Sequence, residues 1–80
     1  MPELKPRLGR FRIQVYIDDH GPPHVHVIMD GGTVKVYILE GGIRVGRIRG
    51  HLTIRQALMA GRAVANRLTE CWRLWRRYHG

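Results

Sequence analysis

Two glycine pairs, Gly31-Gly32 and Gly41-Gly42, each preceded by an acidic residue (Asp30, Glu40), constrain this chain more than any other feature. Glycine enters the positive-φ backbone of a tight hairpin without steric cost, and both pairs are flanked by alternating segments. Over residues 33–39, Val34, Val36 and Ile38 point one way while Lys35 and Tyr37 point the other, as the two-residue period of a strand requires. Residues 24–29 alternate likewise, with Val25, Val27 and Met29 inward and His24 and His26 outward. Residues 43–48 read as a shorter, weaker strand. Upstream, residues 10–17 put Phe11, Ile13, Val15 and Ile17 on one side and Arg12, Gln14 and Tyr16 on the other. Between them, Asp18-Asp19-His20-Gly21-Pro22-Pro23 is a turn, because two prolines cannot continue a ladder. Two registers of the central hairpin fit, with His26 opposite Tyr37 or opposite Lys35, and neither changes the faces.

The period then changes. Thr53 and Gln56 form a capping box, and apolar residues follow at helical spacing: Ile54, Leu58, Ala65, Leu68, Trp72 and Trp75, with Ala57, Val64 and Cys71 beside them. The phase is unbroken to Trp75, so one helix, straight or bent, is expected, with Tyr78 and His79 fraying. Gly61 on its inner face marks either a close approach to the sheet or a kink. The expected fold is α+β: an antiparallel meander of three to four strands with a C-terminal helix packed on one face. Residues 1–80 form a single domain, with 1–9 as a flexible N-terminal arm.

Charge is distributed unevenly. The net +8 lies wholly in residues 41–80, which hold nine arginines against Glu70, whereas residues 1–40 hold five basic and five acidic side chains. Such asymmetry points to a polyanionic or acidic partner, nucleic acid foremost. A lone cysteine, Cys71, excludes an intrachain disulfide, and no apolar run reaches membrane-spanning length. Residues 1–13 lack a signal-peptide core, so a cytoplasmic location without membrane association is expected.

One helix covers one sheet face, leaving Arg12, Gln14, Tyr16, His24, His26, Lys35 and Tyr37 on the other. Histidine, tyrosine and cations together are the equipment of metal-independent RNA cleavage: an imidazole moves protons near neutral pH, and a cation stabilises the crowded phosphate. The candidate catalytic residues are therefore His24, His26, His20, Lys35, Arg12 and Tyr37. A solvated face with cross-strand polar pairs explains the same residues without function. His24 and His26, one strand period apart, could also converge on an ion, with His20, Asp18, Asp19 or His51 completing the set. A His-x-His pair is a weak signal, and neither a metal nor a cofactor is assigned on it. A second candidate surface is an arginine ladder: Arg55, Arg62 and Arg73 fall within ~20° on one helical wheel, with Arg76 and Arg77 nearby and Arg47 just before the helix. It suits a phosphate backbone or an acidic protein groove.

Residues 11–27, Phe-Arg-Ile-Gln-Val-Tyr-Ile-Asp-Asp-His-Gly-Pro-Pro-His-Val-His-Val, resemble a bacterial and archaeal family known as domain of unknown function 4160. The likeness rests on the Tyr16-Ile17 strand end and on an Asp-His-x-Pro-Pro-His-x-His-Val turn, matched from Asp19 to Val27. A glycine hairpin and a helix ending near a tryptophan extend it. Family members are often acidic in the helix, where this chain carries Arg62, Arg67, Arg73, Arg76 and Arg77. The resemblance implies the toxin component of a toxin–antitoxin pair, with a cognate small antitoxin as partner. Joined to the residue reading, it suggests action on RNA or translation, with a ribonuclease as one form. The alternatives are a non-enzymatic basic module for nucleic acid or an acidic protein, and a metal-binding protein at the histidine turn. A homodimer through a sheet edge also fits.

Overall fold

The computed structural model describes residues 2–7 and 9–80; Met1 and Leu8 lie outside the described residues. Four strands, β1 (Arg12–Gln14), β2 (His24–Met29), β3 (Gly32–Leu39) and β4 (Gly42–Gly50), form one antiparallel sheet in the order β1-β2-β3-β4. Two helices follow, α1 (Ile54–Asn66) and α2 (Leu68–His79). The α+β meander is as expected. Gly31 and Gly41 take φ of 97° and 78°, the backbone for which the two hairpins needed glycine.

Val25, Val27, Val34, Val36 and Ile38 are fully buried against the helices. Each contributes about 1.5–3 kcal/mol relative to an exposed side chain. Register in the central hairpin pairs His26 with Lys35 and His24 with Tyr37. β1 is shorter than its alternation suggested. It ends at Gln14, the chain turns, and Ile17 is exposed rather than inward.

The segment expected as a free arm instead lies along β1. The Leu4 N–H donates to the Ile13 carbonyl (2.8 Å), the Val15 N–H donates to the Pro2 carbonyl (3.0 Å), and Leu4 joins the core. Glu3 accepts from Gln14, Arg12 and Arg7 at 3.2–3.3 Å, which holds its carboxyl below the usual range.

The capping box forms as read, with the Gln56 N–H donating to Thr53 Oγ1 and the Thr53 N–H to Gln56 Oε1. The single helix does not form. Arg67, at φ −125° and ψ 33°, ends α1 and begins α2. Its side chain is 8% exposed, and its guanidinium donates to the Pro6 carbonyl (2.7 Å) and to both oxygens of Glu70 (2.8 and 3.2 Å). Pro6, far along the chain, and Glu70, three residues on, thus hold the side chain at a junction that apolar spacing does not report.

The inner face of α1 also differs from expectation. Ala57, Ala60, Gly61 and Val64 are buried, whereas Ile54 and Leu58 are 74% and 60% exposed. Close approach decides this: a β-carbon on Gly61 would lie 2.8 Å from Val45 Cγ2 and 3.2 Å from Ile43 Cδ1. Only a face of small residues fits that gap, so Gly61 is a contact point and the break falls at Arg67. His79 does not fray: its ring stacks on Trp75 (centroids 4.0 Å) and its Nε2 lies 2.9 Å from the Tyr16 carbonyl.

Candidate functional site

The sheet face opposite the valines is built from β2, β3 and β4, and a bulge decides what it presents. Val36 pairs with Val45 and Val34 pairs with Ile48, so Gly46 and Arg47 together stand opposite Lys35. This extra residue resolves a conflict in Ile43-Arg44-Val45-Gly46-Arg47-Ile48-Arg49. With strict alternation, Val45 and Ile48 would face opposite sides; with the bulge both face the helices, and Arg44, Arg47 and Arg49 share the other face. Gly46 is required there, because a β-carbon would lie 2.7 Å from Tyr37 Cε2 and 3.1 Å from the Lys35 carbonyl.

The result is a cavity of about 310 Å³ lined by Tyr16, Asp19, His26, Thr33, Lys35, Arg47 and Arg49. Three permanent cations face one carboxylate. Beside it, the Arg44 guanidinium lies over the Tyr37 ring, 4.4 Å from its centroid.

One wall of the cavity is an Asp-His-His cluster. The β2 alternation puts His24 and His26 on this face, and the preceding turn folds Asp19 back over them. Asp19 Oδ2 lies 3.3 Å from His24 Nε2 and 3.1 Å from His26 Nε2, and it accepts from the Tyr16 N–H at 3.2 Å. Burial alone would push the Asp19 carboxyl up; the Tyr16 N–H and the two imidazoles outweigh it and hold the carboxyl below its ordinary value. For His26, burial wins over the stabilising carboxylate, and its pKa falls below the ordinary imidazole value. The His26 ring stacks on Tyr16 (centroids 3.9 Å, 12° between planes).

The histidines share a face as alternation requires, but they are not open to solvent. His24 is 2% and His26 9% exposed. His24 is covered by Trp75, whose ring centroid is 5.4 Å from its own, and is flanked by His26 at 5.1 Å and Tyr37 at 5.9 Å. That cover comes from the C-terminal helix.

The family model for Domain of unknown function (DUF4160) matches residues 10–76. The chain belongs to this family. No curated protein and no solved structure matches it. The DUF4160 match spans every residue lining the cavity and the whole Asp19–His26 turn. Among the described residues, no helix is long and apolar enough to cross a membrane.

Of the residues singled out in sequence, this DUF4160 fold gathers His26, Lys35 and Arg47 around the cavity, with His24 and Tyr37 adjoining. Arg12 is 3.3 Å from Glu3 Oε1 and does not line the cavity, and His20 is exposed on the turn outside the cluster. Arg55 and Arg62 are exposed on α1, and Arg73, Arg76 and Arg77 on α2. They are divided between two helices. The wheel that aligned them assumes an unbroken helix, and Arg67 resets its phase. Arg76 lies over the Trp72 ring at 5.0 Å, while Arg73 and Arg77 border a groove shared with Glu3 and Glu70. Tyr16, on the open face by alternation, also lines the cavity, as do Arg49, from the basic run before the helix, and Thr33. The signal for Arg49 was the broken alternation around Gly46.

Proposed function

We propose that this DUF4160 protein binds single-stranded RNA through its open sheet face, with backbone phosphate seated among Lys35, Arg47 and Arg49. The observation that carries the reading is the convergence of these three cations on one cavity, in which the only carboxylate, Asp19, is already engaged by the His26 imidazole and a backbone N–H. Phosphate oxygens accept from such groups without regard to sequence, and Tyr37 under Arg44 provides an aromatic surface for an unpaired base. This is compatible with the toxin-like action on RNA or translation that the family resemblance suggests. It favours binding over histidine acid–base cleavage, because His24 is sealed and its Nδ1 is held at the Pro22 carbonyl.

Fluorescence anisotropy with a labelled single-stranded RNA tests this reading. Lys35→Glu/Arg49→Glu should weaken binding at least ~10-fold, because two phosphate contacts become repulsions, while Arg62→Glu/Arg73→Glu changes it by less than ~3-fold. The reverse ranking would move the site to the helices. Electrophoresis of the RNA recovered from the same samples should show it uncut.

A further inference from the structure

The Asp-His-His cluster holds a polar atom that the fold leaves unanswered. His24 Nδ1 lies 2.8 Å from the Pro22 carbonyl, which can only accept, so Nδ1 carries the proton. Nε2 is then the ring's other polar atom. That atom is fully buried, has no hydrogen-bond partner and is aimed at the Asp19 carboxylate, itself an acceptor. A buried polar atom left without a hydrogen-bond partner is costly. An ion bound by both Nε2 and the carboxylate removes that cost.

The geometry fits one. The ligand atoms of Asp19, His24 and His26 all lie within 4.8 Å of one another, and Asp19 Oδ2 is 3.3 and 3.1 Å from the two Nε2 atoms. A tetrahedral ion with bonds of ~2.1 Å has ligand–ligand edges of ~3.4 Å, and an octahedral one ~3.0 Å. Two edges therefore already have the length an ion imposes. The ligands are also braced as metal ligands usually are. The Pro22 carbonyl orients His24, Tyr16 stacks under His26, and the Tyr16 N–H holds Asp19.

We propose that Asp19, His24 and His26 bind one divalent ion of the zinc class, with the open side of its coordination sphere on the Lys35–Arg47–Arg49 cavity, where an anion completes it. Two imidazoles and a single carboxylate suit zinc, cobalt, nickel or ferrous ion rather than magnesium or calcium, which take mostly oxygen ligands. The nearby cations would repel a bare dication, which is why the vacant position belongs to an anion. This site takes up the metal-binding alternative that the His-x-His pair offers in sequence, with Asp19 as the third ligand, and it does not depend on RNA binding.

Protein stripped with EDTA and desalted is titrated with cobalt(II) and with zinc, following cobalt ligand-field absorption, heat of binding and thermal midpoint. Wild type should bind one equivalent of either ion, with cobalt absorption appearing and the midpoint rising. Asp19→Asn and His24→Ala should each weaken zinc binding at least ~10-fold, whereas His20→Ala and His51→Ala should leave it unchanged. Circular dichroism verifies folding; if His24→Ala does not fold, the near-isosteric Asp19→Asn decides. Lys35→Glu/Arg49→Glu should still bind zinc after losing RNA, so the two readings fail separately. Absence of cobalt absorption and of any midpoint rise with excess zinc, or zinc affinity untouched in Asp19→Asn, would overturn the proposal. The histidines would then only pack around Asp19.

Discussion

Gly61→Ala is the sharpest probe of how α1 sits on the sheet. On an exposed helix this change is favourable by up to ~1 kcal/mol, because alanine restricts the unfolded chain and glycine does not. Here the new β-carbon would lie 2.8 Å from Val45 Cγ2 and 3.2 Å from Ile43 Cδ1. Carbon atoms in contact prefer ~3.5–4.0 Å. The Ile43 terminal methyl can swing aside. Val45 cannot do so cheaply, since its branched side chain is stiff and projects from β4. Overpacking of this kind costs typically ~1–3 kcal/mol, so after the helix gain a net loss of roughly 1 kcal/mol is expected. For a domain this size that is about 4–8 °C in thermal midpoint. Urea unfolding followed by Trp72 and Trp75 fluorescence measures it. Val45→Ala in the same chain removes the colliding methyl groups, so the double variant should be more stable than the sum of the single effects by about 1 kcal/mol. Gly61→Ala stabilising by the full helix increment, with additive behaviour in the double variant, would refute the close seating of α1 on β4.

Other consequences are simpler to state. Leu58→Glu should leave stability within ~0.5 kcal/mol of wild type, because Leu58 is exposed where helical periodicity alone would bury it. Cys71 is fully buried, and burial pushes its thiol up to about 12. Alkylation by iodoacetamide at mildly alkaline pH should therefore be negligible in the native protein and should follow the urea unfolding curve. Arg67→Ala removes the link from the helix junction to the Pro6 carbonyl and to Glu70. It should lower the thermal midpoint and speed amide exchange at Leu4 and Val15, whose N–H groups tie the N-terminal segment to β1.

Much of the fold was legible because its signals are local. The paired glycines placed both β2–β3–β4 hairpins, alternation assigned the faces of β2 and β3, and Thr53 with Gln56 placed the start of α1. What failed to read out depends on distant partners. Arg67, where the helix breaks, donates to the Pro6 carbonyl 61 residues away, and the N-terminal segment is held by hydrogen bonds to Ile13 and Val15 that no periodicity announces. Ile54 and Leu58 misled because helical spacing reports an apolar face without reporting how much room lies beneath it. In the candidate site, alternation correctly grouped His24, His26, Lys35 and Tyr37 on one face. It missed that Trp75 covers His24, and that the bulge at Gly46 brings Arg49 into line with Arg47.

The salt dependence of RNA binding tests the central claim most directly. If Lys35, Arg47 and Arg49 each meet a phosphate, log affinity should fall against log salt with a slope of about −2. That is a ~20-fold loss between about 50 and 200 mM salt. Arg49→Ala should flatten the slope to about −1.4. A slope near zero in the wild type, or one that Arg49→Ala leaves unchanged while Arg62→Ala or Arg73→Ala reduces it, would contradict the assignment of this face as the RNA-binding surface.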